Sequence, residues 1–281
     1  MDDTGRVGAV SLATVELMWR RAEAMRDGVS DFTRRLIKTQ SLPGHERAVA
    51  ELVAAEMRSL GYDDVWTDEA GNVVGHIKAT RTGGKRVMLN THMDHVDVGD
   101  WSRWPHPPYG AALIDDEIWG RGASDLKGAL ACQVYAGAMI RKLGVDLPND
   151  VYVAGVVLEE VGGLGSMCLA EKLPVDFVIV GEPSANRIAL GHRGRFEVHV
   201  TVRGKSVHAS VPETGINPLY SVSRFLLSLR ELRWEAHPDA LELGPTSIAP
   251  TLFSTDQSSP NVLPNASTNA SRRPQRHVVK W

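Results

Sequence analysis

Apolar residues fall into helical spacing near the start of the chain, into strand spacing through its middle, and into two unbroken runs beyond residue 150. Leu17, Ala24 and Met25, followed by Phe32, Leu36 and Ile37, predict helix over residues 13–38 with an interruption at Gly28. A second helix is predicted over 46–60, ended by Gly61 as a C-cap residue. The period then changes from 3.6 to 2. Residues 65–67, 73–77 and 87–90 read as strands separated by the turns Glu69-Ala70-Gly71-Asn72 and Thr82-Gly83-Gly84. A long loop with Trp101, Trp104, Pro105, Pro107 and Pro108 follows, and a loop of that length in a compact domain is expected to frame a pocket. An apolar helix over 126–143, closed by Gly144, leads into residues 151–158 and then 177–180, continuous apolar runs of the kind a central parallel strand requires. Past Arg193 the pattern predicts a half-exposed strand at 196–202, a helix at 217–232 and a strand at 246–253. Strands alternating with helices imply an α/β fold.

Composition narrows the picture without redirecting it. The 281 residues suffice for one large domain or two modest ones, and 43% hydrophobic with 23% charged residues is an ordinary globular balance. A net charge of -3 shows no basic bias, so neither nucleic acid nor an anionic membrane is expected as a partner. Cys132 and Cys168 form no CxxC pair and lie in helix-like stretches, which argues against a disulfide framework and for a reducing compartment. The first residues lack a basic and apolar leader, and no run approaches the roughly 20 apolar residues of a membrane span. A cytoplasmic protein is the expectation.

The candidate chemistry lies at strand ends. His92 and Asp94 close the run that begins at Val87, Glu159 and Glu160 close the next, Glu182 closes the third, and Asp125 sits in the loop between the first two. Residues two apart on a strand point the same way, so Asp94 can hydrogen-bond the ring nitrogen of His92 that a metal would not use. A single acid at a strand end is ordinarily solvated. Five carboxylates and a histidine on one rim, however, repel each other unless cations are present, and this donor set suits zinc or a related divalent ion. A two-metal site fits, with one carboxylate bridging ions roughly 3.5–4 Å apart. A competing pattern, Gly162-Gly163-Leu164-Gly165 after a strand with Glu182 further on, mimics a dinucleotide fingerprint. It fails because Cys168 replaces the third glycine and Glu159 and Glu160 would repel a pyrophosphate.

Five segments carry a family resemblance: His92-Met93-Asp94, the stretch from Gly120-Arg121-Gly122 through Asp125-Leu126-Lys127-Gly128, Glu159-Glu160, Gly181-Glu182-Pro183, and Gly204-Lys205-Ser206-Val207-His208-Ala209. In order and spacing, over residues 30–264, they resemble the di-zinc family of acetylornithine deacetylase, succinyl-diaminopimelate desuccinylase, aminoacylase and glutamate carboxypeptidase. The resemblance implies a catalytic domain over 1–192, with a mixed, mainly parallel sheet flanked by helices. Over 193–264 it implies part of an inserted α+β sandwich, a lid through which such enzymes form homodimers. It further implies two divalent ions, zinc or else cobalt or manganese. His92 and Glu182 would bind one, Glu160 the other, and Asp125 would bridge them. Asp94 would orient His92 and Glu159 would be the general base for cleaving an N-acyl amino acid or small peptide. Water acidified by the cations would give its proton to Glu159 and attack a polarised amide carbonyl, and Glu159 would then protonate the leaving amine. His208 would be the lid histidine that stabilises the oxyanion in a partner's active site. Arg193 and Asn261 would hold a substrate carboxylate, although a surface arginine would look identical in sequence. The Asp125–Leu126 peptide is expected to be cis.

Residues 265–281 break the pattern. They show neither strand alternation nor helical spacing, carry Arg272, Arg273, Arg276 and Lys280 with no acid, and read as an irregular tail. This suggests truncation or a frame shift near residue 265, which would remove a late histidine of the second metal. The expectation is then an incomplete second site, about one tightly bound ion and little turnover, a remnant retaining the fold. His277 or His95 would be the candidate replacement ligands.

Overall fold

The computed structural model describes residues 11–81, 83–144, 146–189, 191–236, 238, 243–264 and 266–273, the last of these by backbone alone. They form two compact units, one within residues 1–186 and the other within 187–281. The boundary falls after Asn186, six residues before the 192/193 division that the resemblance implies. In the first unit, helices α1 (Leu12–Ala24), α2 (Arg26–Lys38) and α3 (Arg47–Ser59) precede strands β1 (Asp64–Thr67), β2 (Val73–Ile77) and β3 (Arg86–His92). The hairpin β4 (Ala112–Ile114) and β5 (Glu117–Trp119), then α4 (Gly128–Lys142), β6 (Asp150–Val156), α5 (Leu164–Lys172) and β7 (Phe177–Val180) complete it. The second unit holds β8 (Phe196–Arg203), α6 (Pro218–Glu231), β9 (Ala249–Thr255) and β10 (Ala266–Arg273). No helix among the described residues is long and apolar enough to cross a membrane.

The first unit is a five-stranded mixed sheet in the order β1-β2-β6-β3-β7. β6, β3 and β7 pair in parallel, while β2 runs antiparallel to both its neighbours, so four of the five strands share one direction. The unbroken apolar run of β6 reflects cover on both faces. Val151 and Val153 join Val73 and Ile77 in a core closed by Phe32, Leu36, Val49, Val53, Met57, Leu130 and Val134 of the helices, whereas Tyr152, Ala154 and Val156 join Val74 and Met88 beneath Leu169 of α5. Each such side chain contributes roughly 1.5–3 kcal/mol on burial. Tyr62 anchors α4 by donating its hydroxyl to Val134 O at 2.6 Å. Gly75 leaves the space its ring needs, since a Cβ there would lie 2.5 Å from the Tyr62 ring.

Several expectations are corrected here. The first helical segment breaks at Met25, which caps both α1 and α2, and not at Gly28. Gly28 lies inside α2, where glycine is needed because a side chain would strike the Tyr135 ring. The loop after His92 contains the β4–β5 hairpin. β7, read as a buried central strand, is the last strand of the described sheet, and all four of its residues are exposed.

In the second unit β10 lies between β8 and β9, antiparallel to both, in the order β8-β10-β9. Residues 266–273 are therefore a strand and not part of an irregular tail. A strand hydrogen-bonded along both edges has its backbone groups satisfied whatever its side chains, so apolar alternation is not required of it. Residues 274–281, with His277, lie outside the described residues. Asn217 caps α6 by accepting the Leu219 N–H at 3.0 Å.

Candidate metal centre

Three parallel neighbours end on one rim of the first unit: β3 delivers His92, β6 leads to Glu159 and Glu160, and β7 leads to Glu182. Asp125 reaches the same rim from the tight turn 123–127 ahead of α4, where the Asp125–Leu126 peptide is cis, as the resemblance implies. One ligand atom from each of His92, Asp125 and Glu182 lies within 4.8 Å of the other two. His92 is buried, with its Nδ1 2.9 Å from the carbonyl oxygen of Asp94. That bond puts the proton on Nδ1 in the neutral ring and turns Nε2 toward acids, 3.1 Å from Asp125 Oδ1 and 4.0 Å from Glu159 Oε2. Nε2 can bond an ionised carboxylate only through a proton or a cation, which is the setting of a metal ligand.

The electrostatics agree with the geometry. Burial opposes a charge on His92, but Asp94, Glu159 and Glu182 outweigh it and raise the ring's pKa to about 9. Glu160 is pushed up by burial and by Asp125, and Glu182 by burial and by the neighbouring Glu159, Asp125 and Glu160, with His92 opposing in both cases. A histidine held charged among carboxylates that resist ionisation marks a cluster with an excess of negative charge. A divalent cation suits it, and the nitrogen–oxygen donor set fits zinc, cobalt or manganese.

Asp94 does more than orient a ring through its carboxylate. Both its main-chain carbonyl, at 2.9 Å, and its carboxylate, at 3.6 Å, face Nδ1 of the His92 ring, the first as a hydrogen bond and the second as an ion pair when the ring is charged. At 3.6 Å the carboxylate contact is too long for a hydrogen bond. The fully buried carboxylate accepts instead from Glu159 N at 3.2 Å and Glu160 N at 3.0 Å. Burial works against its charge, but His92 and these two N–H groups keep its pKa below the usual carboxylate range. One residue thus ties the β3 end to the turn after β6.

His95 is unsuited to replace a ligand. It is fully buried, its Nε2 accepts the Ser41 N–H at 3.1 Å, and its Nδ1 lies 2.8 Å from Val96 O. Arg193, His208 and Asn261 belong to the second unit. Arg193 donates to Pro245 O at 3.1 Å, His208 Nδ1 pairs with the Ser210 hydroxyl at 2.8 Å, and Asn261 accepts the Ala209 N–H through its main chain at 2.8 Å.

Sequence reasoning missed the buried polar residues that hold this rim. Lys127 is fully buried and donates to Leu36 O at 2.9 Å and Thr39 O at 2.6 Å, fixing the Asp125 turn to the end of α2. Burial alone pulls its amine down to about 7. The Asp-Leu-Lys-Gly stretch offered a signal for Lys127. Glu46 and Asn72 offered none, because a polar residue at a helix start or in a turn is ordinarily solvated.

Residues 88–257 match the sequence profile described as Peptidase family M20/M25/M40. The uncharacterized protein YgeY of Escherichia coli strain K12 is 35% identical over 216 residues, covering 75% of this chain and 53% of that protein. The chain thus spans about half the length of the curated relatives it matches. Among solved structures, an M20 family metallo-carboxypeptidase, Sso-CP2 from Sulfolobus solfataricus, shares the fold with a TM-score of 0.70 at 18% identity, over 88% of this chain and 71% of that one. The YXEP protein of Bacillus subtilis, described as a dinuclear metal binding peptidase from the M20 family, gives 0.59 at 12% identity, over 90% of this chain and 65% of that one.

Proposed function

The chain belongs to peptidase family M20/M25/M40, whose solved members include a metallo-carboxypeptidase and a dinuclear metal binding peptidase, and from that premise we propose that it binds divalent metal at the β3–β6–β7 rim to hydrolyse the amide bond of a small peptide or N-acyl amino acid. The observation that carries this reading is the convergence of one ligand atom each from His92, Asp125 and Glu182 within 4.8 Å, with His92 Nδ1 engaged by Asp94 and Nε2 3.1 Å from Asp125. His92, Asp125 and Glu182 would hold one ion, and Asp125 and Glu160 would face a second. The dinuclear description of the Bacillus subtilis structure supports two. Bound there, zinc, cobalt or manganese supplies Lewis acidity toward an amide carbonyl and lowers the pKa of water toward roughly 7.

The remaining steps belong to the chain's own residues. Glu159, half-buried with its Oε2 4.0 Å from His92 Nε2, takes the proton of the attacking water and returns it to the leaving amine. Asp94 fixes the His92 ring through its carbonyl and the backbone of Glu159 and Glu160 through its carboxylate. In the second unit, His208 is assigned to oxyanion stabilisation in a homodimer, and Arg193 and Asn261 to a substrate carboxylate. A cytoplasmic setting is in keeping with the free thiols Cys132 and Cys168.

The test is turnover on a panel of dipeptides and N-acyl amino acids, each with zinc, cobalt or manganese, by the parent and by Glu159→Ala. The parent should require metal. Glu159→Ala should keep its metal content and lose turnover by a factor of at least about 10². A metal-independent parent, or an unchanged rate in Glu159→Ala, would remove this reading.

A further inference from the structure

Four consecutive backbone N–H groups leave the end of β6, and each meets a side-chain oxygen, supplied by three residues from different parts of the first unit. Val157 N donates to Asn72 Oδ1 at 3.0 Å, Leu158 N to Glu46 Oε1 at 3.1 Å, Glu159 N to Asp94 Oδ1 at 3.2 Å and Glu160 N to Asp94 Oδ2 at 3.0 Å. The acceptors are almost wholly buried, Glu46 at 5% exposure and Asn72 and Asp94 at 0%. Asn72 is itself fixed, its amide nitrogen donating to Asp68 Oδ2 at 2.7 Å and to Gly165 O at 2.9 Å. Two carbonyls of the same turn are also bound, Leu158 O by Gly163 N at 2.7 Å and Glu159 O by Gly162 N at 3.0 Å.

Leu158 is where the direction of the chain changes. Its φ of 57° lies in the left-handed region, which costs a leucine of order 1 kcal/mol or more unless its surroundings enforce it. The residue after such a kink takes its side-chain direction from it. Glu159 therefore points as it does because Leu158 is held, and the group on the Leu158 N–H is Glu46. A buried carboxylate with no role beyond helix initiation would be expensive, and Glu46 makes no side-chain cap of α3.

We propose that Glu46 is a positioning residue for the reaction, a buried acceptor that locks the left-handed Leu158 and thereby aims Glu159 and Glu160 at the metal rim. This rests on the function proposed above but concerns a residue outside the metal cluster. The carboxyl of Glu46 touches no reacting atom; it acts through the Leu158 backbone. Its charge is not required, only an acceptor oxygen at that place.

The test compares Glu46→Leu, which keeps the bulk and removes the acceptor, with Glu46→Gln, which keeps an acceptor oxygen. Amide hydrogen exchange across residues 157–163 should quicken by about tenfold in Glu46→Leu, while the rest of the first unit stays near the parent. In the same variant kcat should fall by about a hundredfold with KM little changed, and Glu46→Gln should restore both measures to within about threefold of the parent. If Glu46→Leu does not fold, Glu46→Asp, which withdraws the carboxylate by one methylene, should show a smaller change in both measures. Exchange in the 157–163 segment equal to the parent, or faster exchange with unchanged kcat, overturns the positioning role. Retained turnover in Glu159→Ala overturns the catalytic reading instead and leaves the exchange measurement to decide what Glu46 holds.

Discussion

Removing metal should expose a competition between a proton and a cation for one ring nitrogen. In the metal-free protein the His92 pKa stands at about 9 against about 6.5 in the unfolded chain. Because the folded value is the higher, protonated His92 stabilises the fold fully below pH 6.5, and that contribution is lost as pH rises through about 9. At 1.36 kcal/mol per pK unit, and with His92 only 2% exposed, it amounts to about 3 kcal/mol, with a slope approaching 1.4 kcal/mol per pH unit between the two values. Lys127 acts in the opposite sense over the upper part of this window, so the His92 contribution is read as the difference in melting temperature between metal-bound and metal-free protein, which should widen from pH 6.5 to 9. Metal must displace the same proton. Its apparent affinity should rise close to tenfold per pH unit over this window, and at pH 7 it should lie about a hundredfold below its value well above pH 9. Titration calorimetry in buffers of different ionisation enthalpy reads this directly, as close to one proton released per first metal bound at pH 7.5. Release of no proton, together with an affinity that is flat from pH 6.5 to 8.5, would refute the assignment of His92 Nε2 as a ligand set among carboxylates.

Three further outcomes are expected. Lys127→Met should strand the carbonyl of Thr39, costing roughly 1–3 kcal/mol, offset by relief from burying an amine, while Leu36 O keeps the Thr39 N–H at 3.2 Å. Because burial holds Lys127 near 7, below its unfolded value of about 10.4, that burial cost is full below pH 7 and vanishes as pH rises through about 10. Urea unfolding should accordingly show the variant comparing best with the parent below pH 7 and worst near pH 10. Gly165→Ala would press a Cβ against Val157 O and Asn72 Oδ1, so its midpoint should reveal a loss of about 1–3 kcal/mol, and an unchanged midpoint would contradict the packing there. Asp94→Asn replaces one of two acceptor oxygens by a donor facing an N–H, which should cost about 1–3 kcal/mol and slow turnover without abolishing metal binding at His92, measured by metal content and kcat.

The convergence of acids and a histidine on one rim was largely legible in the sequence, because strand ends restrict position. His92, Asp125, Glu159, Glu160 and Glu182 could each be singled out, since acids and a histidine that close apolar runs have few other reasons to recur together. The elements that carry them were legible too. Burial on both faces writes an unbroken run into β6, and helical spacing marks α3 and α4. Tertiary structure decided what no local pattern encodes. β10 is a strand because two neighbours hydrogen-bond its backbone, and its polar sequence carries no trace of that. β7 reads as buried, but its exposure depends on what lies beside it. The hydrogen bond to His92 comes from the carbonyl of Asp94, which every residue possesses, so side-chain identity could not reveal that contact. Glu46 and Asn72 look like solvated residues until the fold brings them, across 112 and 85 residues, to the N–H groups of one turn. A sequence displays the side chains that do chemistry; the hydrogen-bond partners that aim them are set by distances that exist only once the chain has folded.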